Sequence, residues 1–69
     1  MKSIVIVLNG QRKEIPHGWS IHDLLSSSGA EPNSVAVVVN AAIVRSDRHS
    51  TVTLKENDEV DILVFAGGG

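Results

Sequence analysis

The sequence predicts an α+β fold, in which a mixed sheet of four to five strands packs on one helix. Runs of β-branched residues and leucine at 3–8, 35–40 and 60–65 are typical of strands. The segment 20–28 instead combines a helix-capping start with apolar residues at helical spacing. A sheet folded over a single helix buries one face of each element, so this arrangement is the economical one.

The size of the chain limits it to one small domain. Its 69 residues are near the lower limit for a self-supporting core, and 42% of them are apolar, which suits a globule rather than a disordered chain. We place a single domain at 1–65 and a flexible glycine tail at 66–69. The sequence has no cysteine, which excludes disulfides, thiolate metal sites and a cysteine nucleophile.

The charge pattern bears on the classes of partner. The net charge is −2 and six basic residues are scattered along the chain, so we expect no nucleic-acid partner. The apolar run 4–8 is too short for a signal-peptide core or a membrane span. We therefore expect a cytoplasmic protein without a membrane partner.

The first strand leads into a hairpin. Asn9-Gly10 predicts a type I′ turn, because both central residues of that turn need a positive φ. The return strand at 12–15 is polar, as is typical of an edge strand.

The helix has clear start and stop signals. Ser20 is a suitable N-cap and Asp23 completes a capping box. Trp19 and Leu24 have the spacing of a hydrophobic staple, and Gly29 is a suitable C-terminal stop.

The second half of the chain reads as short strands and connections. We predict a buried strand at 35–40, a short strand at 43–44, a polar loop at 46–50, a short strand or extended arm at 51–54, a turn at 56–59 and a last strand at 60–65. The last strand should lie in the middle of the sheet, parallel to the first. This order is that of a β-grasp, or ubiquitin-like, fold.

Side-chain alternation predicts an exposed surface. Asp61 should avoid the helix-covered face, so Leu63 and Phe65 share its outward side. Val5 and Val7 point outward from the first strand. We predict that these four apolar residues form a partner-docking patch, since an open apolar patch usually marks a partner site. Packing of the same residues against a loop or against one another stays an alternative.

The glycines at the end of the sequence suggest a reactive tail. Gly67, Gly68 and Gly69 add no burial and are costly to order, but their lack of side chains suits threading into the active site of another enzyme. There ATP would activate the α-carboxylate of Gly69, which would then accept the transferred group. The carrier itself would supply no catalytic side chain. A loose, functionless end is the alternative.

Several stretches carry a family resemblance. They are 35–40, 43–45 and 58–65 leading into the glycines, together with Asn9-Gly10 and the helix start at 20–25. Over nearly its whole length the chain resembles the ThiS family, the ubiquitin-like sulfur carriers of thiamine biosynthesis.

The resemblance implies a β-grasp fold and a chemistry at Gly69. An E1-like adenylyltransferase would use ATP to adenylate this residue. A sulfur-donating enzyme would then convert it to a thiocarboxylate, and a thiazole synthase would take the sulfur. Gly67 and Gly68 would thread into the partner, and the carrier would bind no cofactor stably.

The sequence departs from the family pattern in one loop. The family often has Val-Pro-Arg followed shortly by Trp; here Val44 stands in the proline position and Arg48 or His49 in the Trp position, while Arg45 remains. A sister sulfur-transfer pathway (molybdopterin, tRNA thiolation or cysteine) therefore stays open. So do a ubiquitin-like protein modifier and a plain β-grasp interaction module.

The histidines carry no metal-site signature. His17, His22 and His49 lack the spacing of a helical metal site, and no cysteine accompanies them. We expect all three to be surface or loop residues.

Overall fold

The computed structural model describes residues 2–31 and 34–64. Within these ranges the chain forms a five-stranded mixed sheet and one α-helix, which confirms the predicted α+β class. The elements are β1 (Ser3–Leu8), β2 (Gln11–Pro16), α1 (Ile21–Ser28), β3 (Val35–Val39), β4 (Ala42–Val44) and β5 (Glu59–Val64). The strand order is β2-β1-β5-β3-β4. β5 lies parallel to β1 and antiparallel to β3, in the middle of the sheet as predicted.

The first hairpin turns as the sequence predicts. Asn9 and Gly10 have φ values of 50° and 83°, the left-handed backbone that a type I′ turn requires. β2 is an edge strand of the sheet, and its side chains are exposed except for Ile15. β2 is one residue longer at each end than predicted, because it pairs with the whole of β1.

Helix α1 begins and ends at its predicted signals. The Asp23 backbone N–H donates to Ser20 Oγ at 3.2 Å, and the Ser20 N–H donates to Asp23 Oδ2 at 2.9 Å, so the capping box is complete. At the other end Gly29 has a φ of 75° and its N–H donates to Leu25 and Ser26 carbonyl oxygens.

The hydrophobic core lies between α1 and the inward face of the sheet. Side chains at alternate strand positions meet the apolar face of the helix, and Trp19 packs, partly buried, against this cluster. The fully buried members of the core include Ile6, Ile21, Leu24, Val37 and Val60. Burial of each such side chain contributes about 1.5–3 kcal/mol to folding.

The connection between β4 and β5 is an arm laid along the helix start. Its polar loop contains a short 3-10 helix, Ser46–Arg48, where the sequence predicted only loop. The following arm forms an isolated bridge between Thr53 and Ser20 rather than a strand. Leu54 is buried in the core and its N–H donates to the Trp19 carbonyl oxygen at 2.8 Å.

His49 lies in a loop, which is one of the two predicted alternatives, but its side chain is buried rather than at the surface. Its side chain is 3% exposed, and its Nε2 lies 3.3 Å from the Val44 carbonyl oxygen. The cause is that the His49 carbonyl accepts the His22 N–H of α1 at 3.0 Å, which draws the loop over the helix start. Of the two residues near the family's Trp position, His49 is therefore buried and Arg48 is exposed.

In the part of the chain that the structure describes, no helix is long and apolar enough to cross a membrane.

Candidate functional site

The last strand leads directly to the predicted reactive tail. Val64 is the final described residue of β5, and it pairs with Val35 of β3. The predicted site residues Phe65, Gly67, Gly68 and Gly69 lie outside the described residues, so their roles stay predictions. Covalent geometry nevertheless limits the reach of residues 65–69 to about 17 Å beyond Val64.

Two asparagines hold β5 from its two sides. The Ile62 N–H donates to Asn9 Oδ1 at 2.8 Å, and the Glu59 N–H donates to Asn40 Oδ1 at 2.9 Å. Both asparagines have a φ of 50° and lie at the turns after β1 and β3. Asn40 also donates from Nδ2 to Asp58 Oδ1 at 3.0 Å. Hairpin turns thus fix the strand that precedes the tail.

Of the predicted outward residues, Val5, Val7 and Leu63 point as expected but do not form one patch. Val5 and Val7 are half-buried, and Leu63 is 55% exposed. In the parallel register Val7 lies beside Glu59, so Leu63 is four residues, or about 13 Å, further along the sheet. The prediction that these residues are neighbours is wrong, because β1 turns away at Asn9 before it reaches the level of Leu63.

A different set of apolar residues surrounds Leu63. Leu63 pairs with Ala36 across β5 and β3, while Val38 pairs with both Asp61 and Ile43. Directly paired residues point to the same side of a sheet, so all of these side chains face outward. Ile43 is 75% exposed. We call Ala36, Val38, Ile43 and Leu63, with Asp61 among them, the Leu63 face.

Sequence reasoning missed the part of this face that β3 and β4 contribute. The sequence feature that could have revealed this part of the face is Asn40-Ala41. Both residues have a positive φ and form the turn between the two strands. A tight turn there fixes the pairing of Val38 with Ile43.

The charges around the Leu63 face are mainly acidic. Glu59 and Asp61 are exposed on the outward side of β5. Arg45 follows β4, and its Nε lies 3.8 Å from Asp47 Oδ1 in an exposed ion pair. Across residues 2–31 and 34–64 this is the one salt bridge within 4 Å, and Asp61 is not part of it. Over the same ranges, no group of three or more histidine and acidic side chains could hold a metal ion.

A surface concavity of about 540 Å³ lies elsewhere, between the start of β1 and the end of β2. Its lining includes Lys2, Ile15 and His17. It is at the opposite end of the sheet from Leu63 and contains none of the predicted site residues, so shape alone does not mark the candidate site.

The strand order, the capped helix and the glycine tail correspond to a known family. The family model described as the ThiS family matches residues 6–69. The chain belongs to the ThiS family. The sequence-based assignment to the ThiS family is thereby confirmed.

A solved structure supports the same assignment. The chain is similar to the crystal structure of the thiamine biosynthesis protein ThiS from Geobacter metallireducens, with a TM-score of 0.81 and 26% identity. The match covers 96% of this chain and 100% of the Geobacter chain. The β-grasp architecture predicted from element order is confirmed by this match.

Two curated relatives are much longer proteins. A thiazole synthase from Magnetococcus marinus is 36% identical over 64 residues, and one from Paramagnetospirillum magneticum is 30% identical over 64 residues. In each case the match covers 93% of this chain and 20% of the relative. The ThiS-family chain thus spans about a fifth of the length of these relatives.

Proposed function

We propose that this ThiS-family chain is a sulfur carrier for thiazole synthesis in thiamine biosynthesis, with Gly69 as the residue that carries the sulfur. The observation that supports this most directly is the family match, which extends through Gly69 itself. The two thiazole synthases add support for the pathway, because each includes a segment similar to most of this chain.

The proposed chemistry begins with an E1-like adenylyltransferase. A carboxylate is a poor electrophile, so an oxygen of the Gly69 carboxylate attacks the α-phosphorus of ATP and pyrophosphate leaves. The resulting acyl-adenylate has a good leaving group. ATP belongs to the activating enzyme, and we propose no cofactor bound stably by the carrier.

The second step introduces sulfur. A sulfur-donating enzyme supplies sulfur at the oxidation level of sulfide, the sulfur attacks the carbonyl carbon, and AMP leaves with the bridging oxygen. The net change at Gly69 is the replacement of one carboxylate oxygen by sulfur. A thiazole synthase then transfers this sulfur to its substrate, and the carbonyl carbon of Gly69 gains in exchange an oxygen from that substrate or from water, which restores the carboxylate.

The β-grasp domain serves as the handle for these partners and not as a catalyst. Ordering a glycine tail in a partner's active site costs about 1–2 kcal/mol per residue, so docking of the folded domain must offset that cost. Gly67 and Gly68 supply an arm without side chains that would obstruct threading. Because the partners use ATP for biosynthesis, we propose that the carrier works in the cytoplasm.

An adenylation assay tests the proposal. The purified E1-like adenylyltransferase of the same organism is given ATP and labelled pyrophosphate, with the wild-type chain, a chain lacking Gly69, Gly68→Trp, or the surface control Ser26→Ala. We expect exchange with the wild type and the control and none with the two tail variants, whose circular dichroism should be unchanged. Full exchange without Gly69 would contradict the proposal. Covalent ladders on denaturing gels would instead indicate a protein modifier.

A further inference from the structure

We propose that Asn9 is a site of spontaneous covalent modification, at which the side-chain amide is converted to aspartate and isoaspartate as the protein ages. The nitrogen of Gly10 loses its proton and attacks Cγ of Asn9, ammonia leaves from Cγ, and a cyclic succinimide forms. Water then adds to one of the two ring carbonyls. One opening gives aspartate, and the other routes the main chain through Cγ and gives isoaspartate. This inference concerns the first hairpin and does not depend on the sulfur-carrier proposal.

The sequence makes the attacking nitrogen of Gly10 unusually accessible. Asn9 is the one asparagine of the sequence that a glycine follows. Any other residue in that place has a Cβ beside the nitrogen, and glycine lacks it. Apart from its chain neighbours, no described heavy atom lies within 4 Å of the place that a Cβ of Gly10 would take. Both residues are exposed at the tip of the hairpin, so water can accept the proton and reach the ring.

The hydrogen bonds of the turn leave both reacting groups available. Gly10 lies between β1 and β2, and within residues 2–31 and 34–64 its N–H has no hydrogen-bond partner, so loss of its proton breaks no contact. Over the same ranges the Asn9 amide is held through Oδ1 alone, by the Ile62 N–H at 2.8 Å. A single hydrogen bond at an exposed turn opens readily, which frees the side chain to meet the nitrogen.

Asn40 provides a comparison within the same fold. It has the same φ of 50° and also lies in a turn between two strands. Its Oδ1 accepts the Glu59 N–H at 2.9 Å, and its Nδ2 donates to Asp58 Oδ1 at 3.0 Å. Both ends of this amide are fixed, and Ala41, which follows, has a Cβ. The same backbone conformation is therefore reactive at Asn9 and unreactive at Asn40.

The two products affect β5 differently. Aspartate leaves the main chain unchanged and has a carboxylate oxygen where Oδ1 was, so it still accepts the Ile62 N–H. In isoaspartate the free carboxylate is attached to Cα, one bond nearer the main chain, and no longer reaches that N–H. The main chain also gains a carbon between Asn9 and Gly10, which the tight turn does not accommodate. Isoaspartate therefore releases the hairpin tip from β5.

The experiment follows the full chain during incubation at neutral and at mildly alkaline pH. Peptide mass spectrometry locates each replacement of an amide by a carboxylate, and an isoaspartate-specific carboxyl methyltransferase with a labelled methyl donor marks the isoaspartyl product. Asn40 and Asn57 are internal comparisons. Asn9→Gly is the control variant, because glycine accepts the positive φ of the turn and has no amide. Hydrogen exchange of the Ile62 amide is measured in the wild type, the purified isoaspartyl form and Asn9→Asp.

We expect conversion at Asn9 to be about tenfold faster than at Asn40 or Asn57, and faster at the higher pH. Asn9→Gly should lose most of the methyl label. The Ile62 amide should exchange faster in the isoaspartyl form and at the wild-type rate in Asn9→Asp. Equal conversion at Asn9 and Asn40, or equal labelling of Asn9→Gly and wild type, would overturn the site. Unchanged Ile62 exchange in the isoaspartyl form would overturn its effect on β5.

Discussion

The Ile62 N–H donates to the side-chain Oδ1 of Asn9 at 2.8 Å, where a strand partner would otherwise accept it. Asn9 follows the end of β1 and has a φ of 50°, which is turn conformation. Its N–H nevertheless donates to the Val60 carbonyl oxygen of β5. One residue thus turns the first hairpin and extends the parallel pairing of β5 by a step. This fixes the strand just before the segment that leads to Gly69.

Replacing Asn9 separates its two roles. Asn9→Gly keeps the positive φ and removes the hydrogen bond, so we expect a loss of about 1 kcal/mol in the free energy of unfolding. Asn9→Ala also strains the left-handed backbone and should lose about 1–2 kcal/mol more. Urea unfolding measures both changes. Equal losses for the two variants would contradict the double role.

Hydrogen exchange of the Ile62 amide provides a local test of its hydrogen bond to Asn9. In Asn9→Gly the Ile62 amide loses its acceptor, so its protection should fall more than that of the neighbouring β5 amides that pair with β3. A uniform fall along β5 would indicate general destabilisation instead.

The capping box of α1 contributes measurably to stability. Ser20→Ala removes the acceptor of the Asp23 N–H and should cost about 1 kcal/mol of unfolding free energy. Ser26→Ala is the matched control, because Ser26 is exposed within the helix and alanine favours helix, so it should be neutral or slightly stabilising. Thermal unfolding of the two variants checks the difference, and similar melting temperatures would show that the cap is unimportant.

The buried position of His49 has consequences for stability. His49→Ala leaves a cavity beneath the arm and should cost about 2–4 kcal/mol, whereas His17→Ala, at an exposed position, should change the unfolding free energy by less than about 0.5 kcal/mol. Nδ1 of His49 is buried and has no hydrogen-bond partner among the described residues. His49→Phe, which removes that unpaired atom, should therefore be tolerated far better than His49→Ala. Equal losses for His49→Ala and His49→Phe in urea would contradict this packing.

The two halves of the originally predicted patch should differ in binding. Leu63→Ser should raise the KM of the adenylyltransferase about fivefold or more, since it removes an exposed apolar contact near the tail. Val7→Thr, which likewise introduces a hydroxyl but on the far part of the sheet, should raise it by less than about twofold. Steady-state kinetics with both carriers make the comparison. A larger effect from Val7→Thr would favour the sequence-based patch over the Leu63 face.

Local signals were enough to predict most of the fold. Asn9-Gly10, the pair Ser20 and Asp23, and Gly29 each impose a backbone conformation through their own chemistry, so the hairpin and the helix are found where the sequence predicts them. The central position of the last strand was predicted as part of the β-grasp arrangement that the order of elements indicates, and the structure has it there.

The errors concern relations between distant parts of the chain. Side-chain alternation gave the correct side for Val7 and Leu63, but it contains no information on the register between parallel strands, which the 55–58 turn and Asn9 set together. In the same way, nothing near His49 in the sequence shows that its carbonyl accepts a hydrogen bond from α1. The roles of Gly67, Gly68 and Gly69 stay predictions.

The most direct test of the sulfur-carrier account is the intact mass of the protein produced together with its own adenylyltransferase and sulfur-donating enzyme. We predict a mass increase equal to the exchange of one oxygen for sulfur, placed on Gly69 by fragmentation and absent from a chain that lacks this residue. An unmodified mass under conditions where the partners are active, or the same increase in the chain without Gly69, would contradict the account.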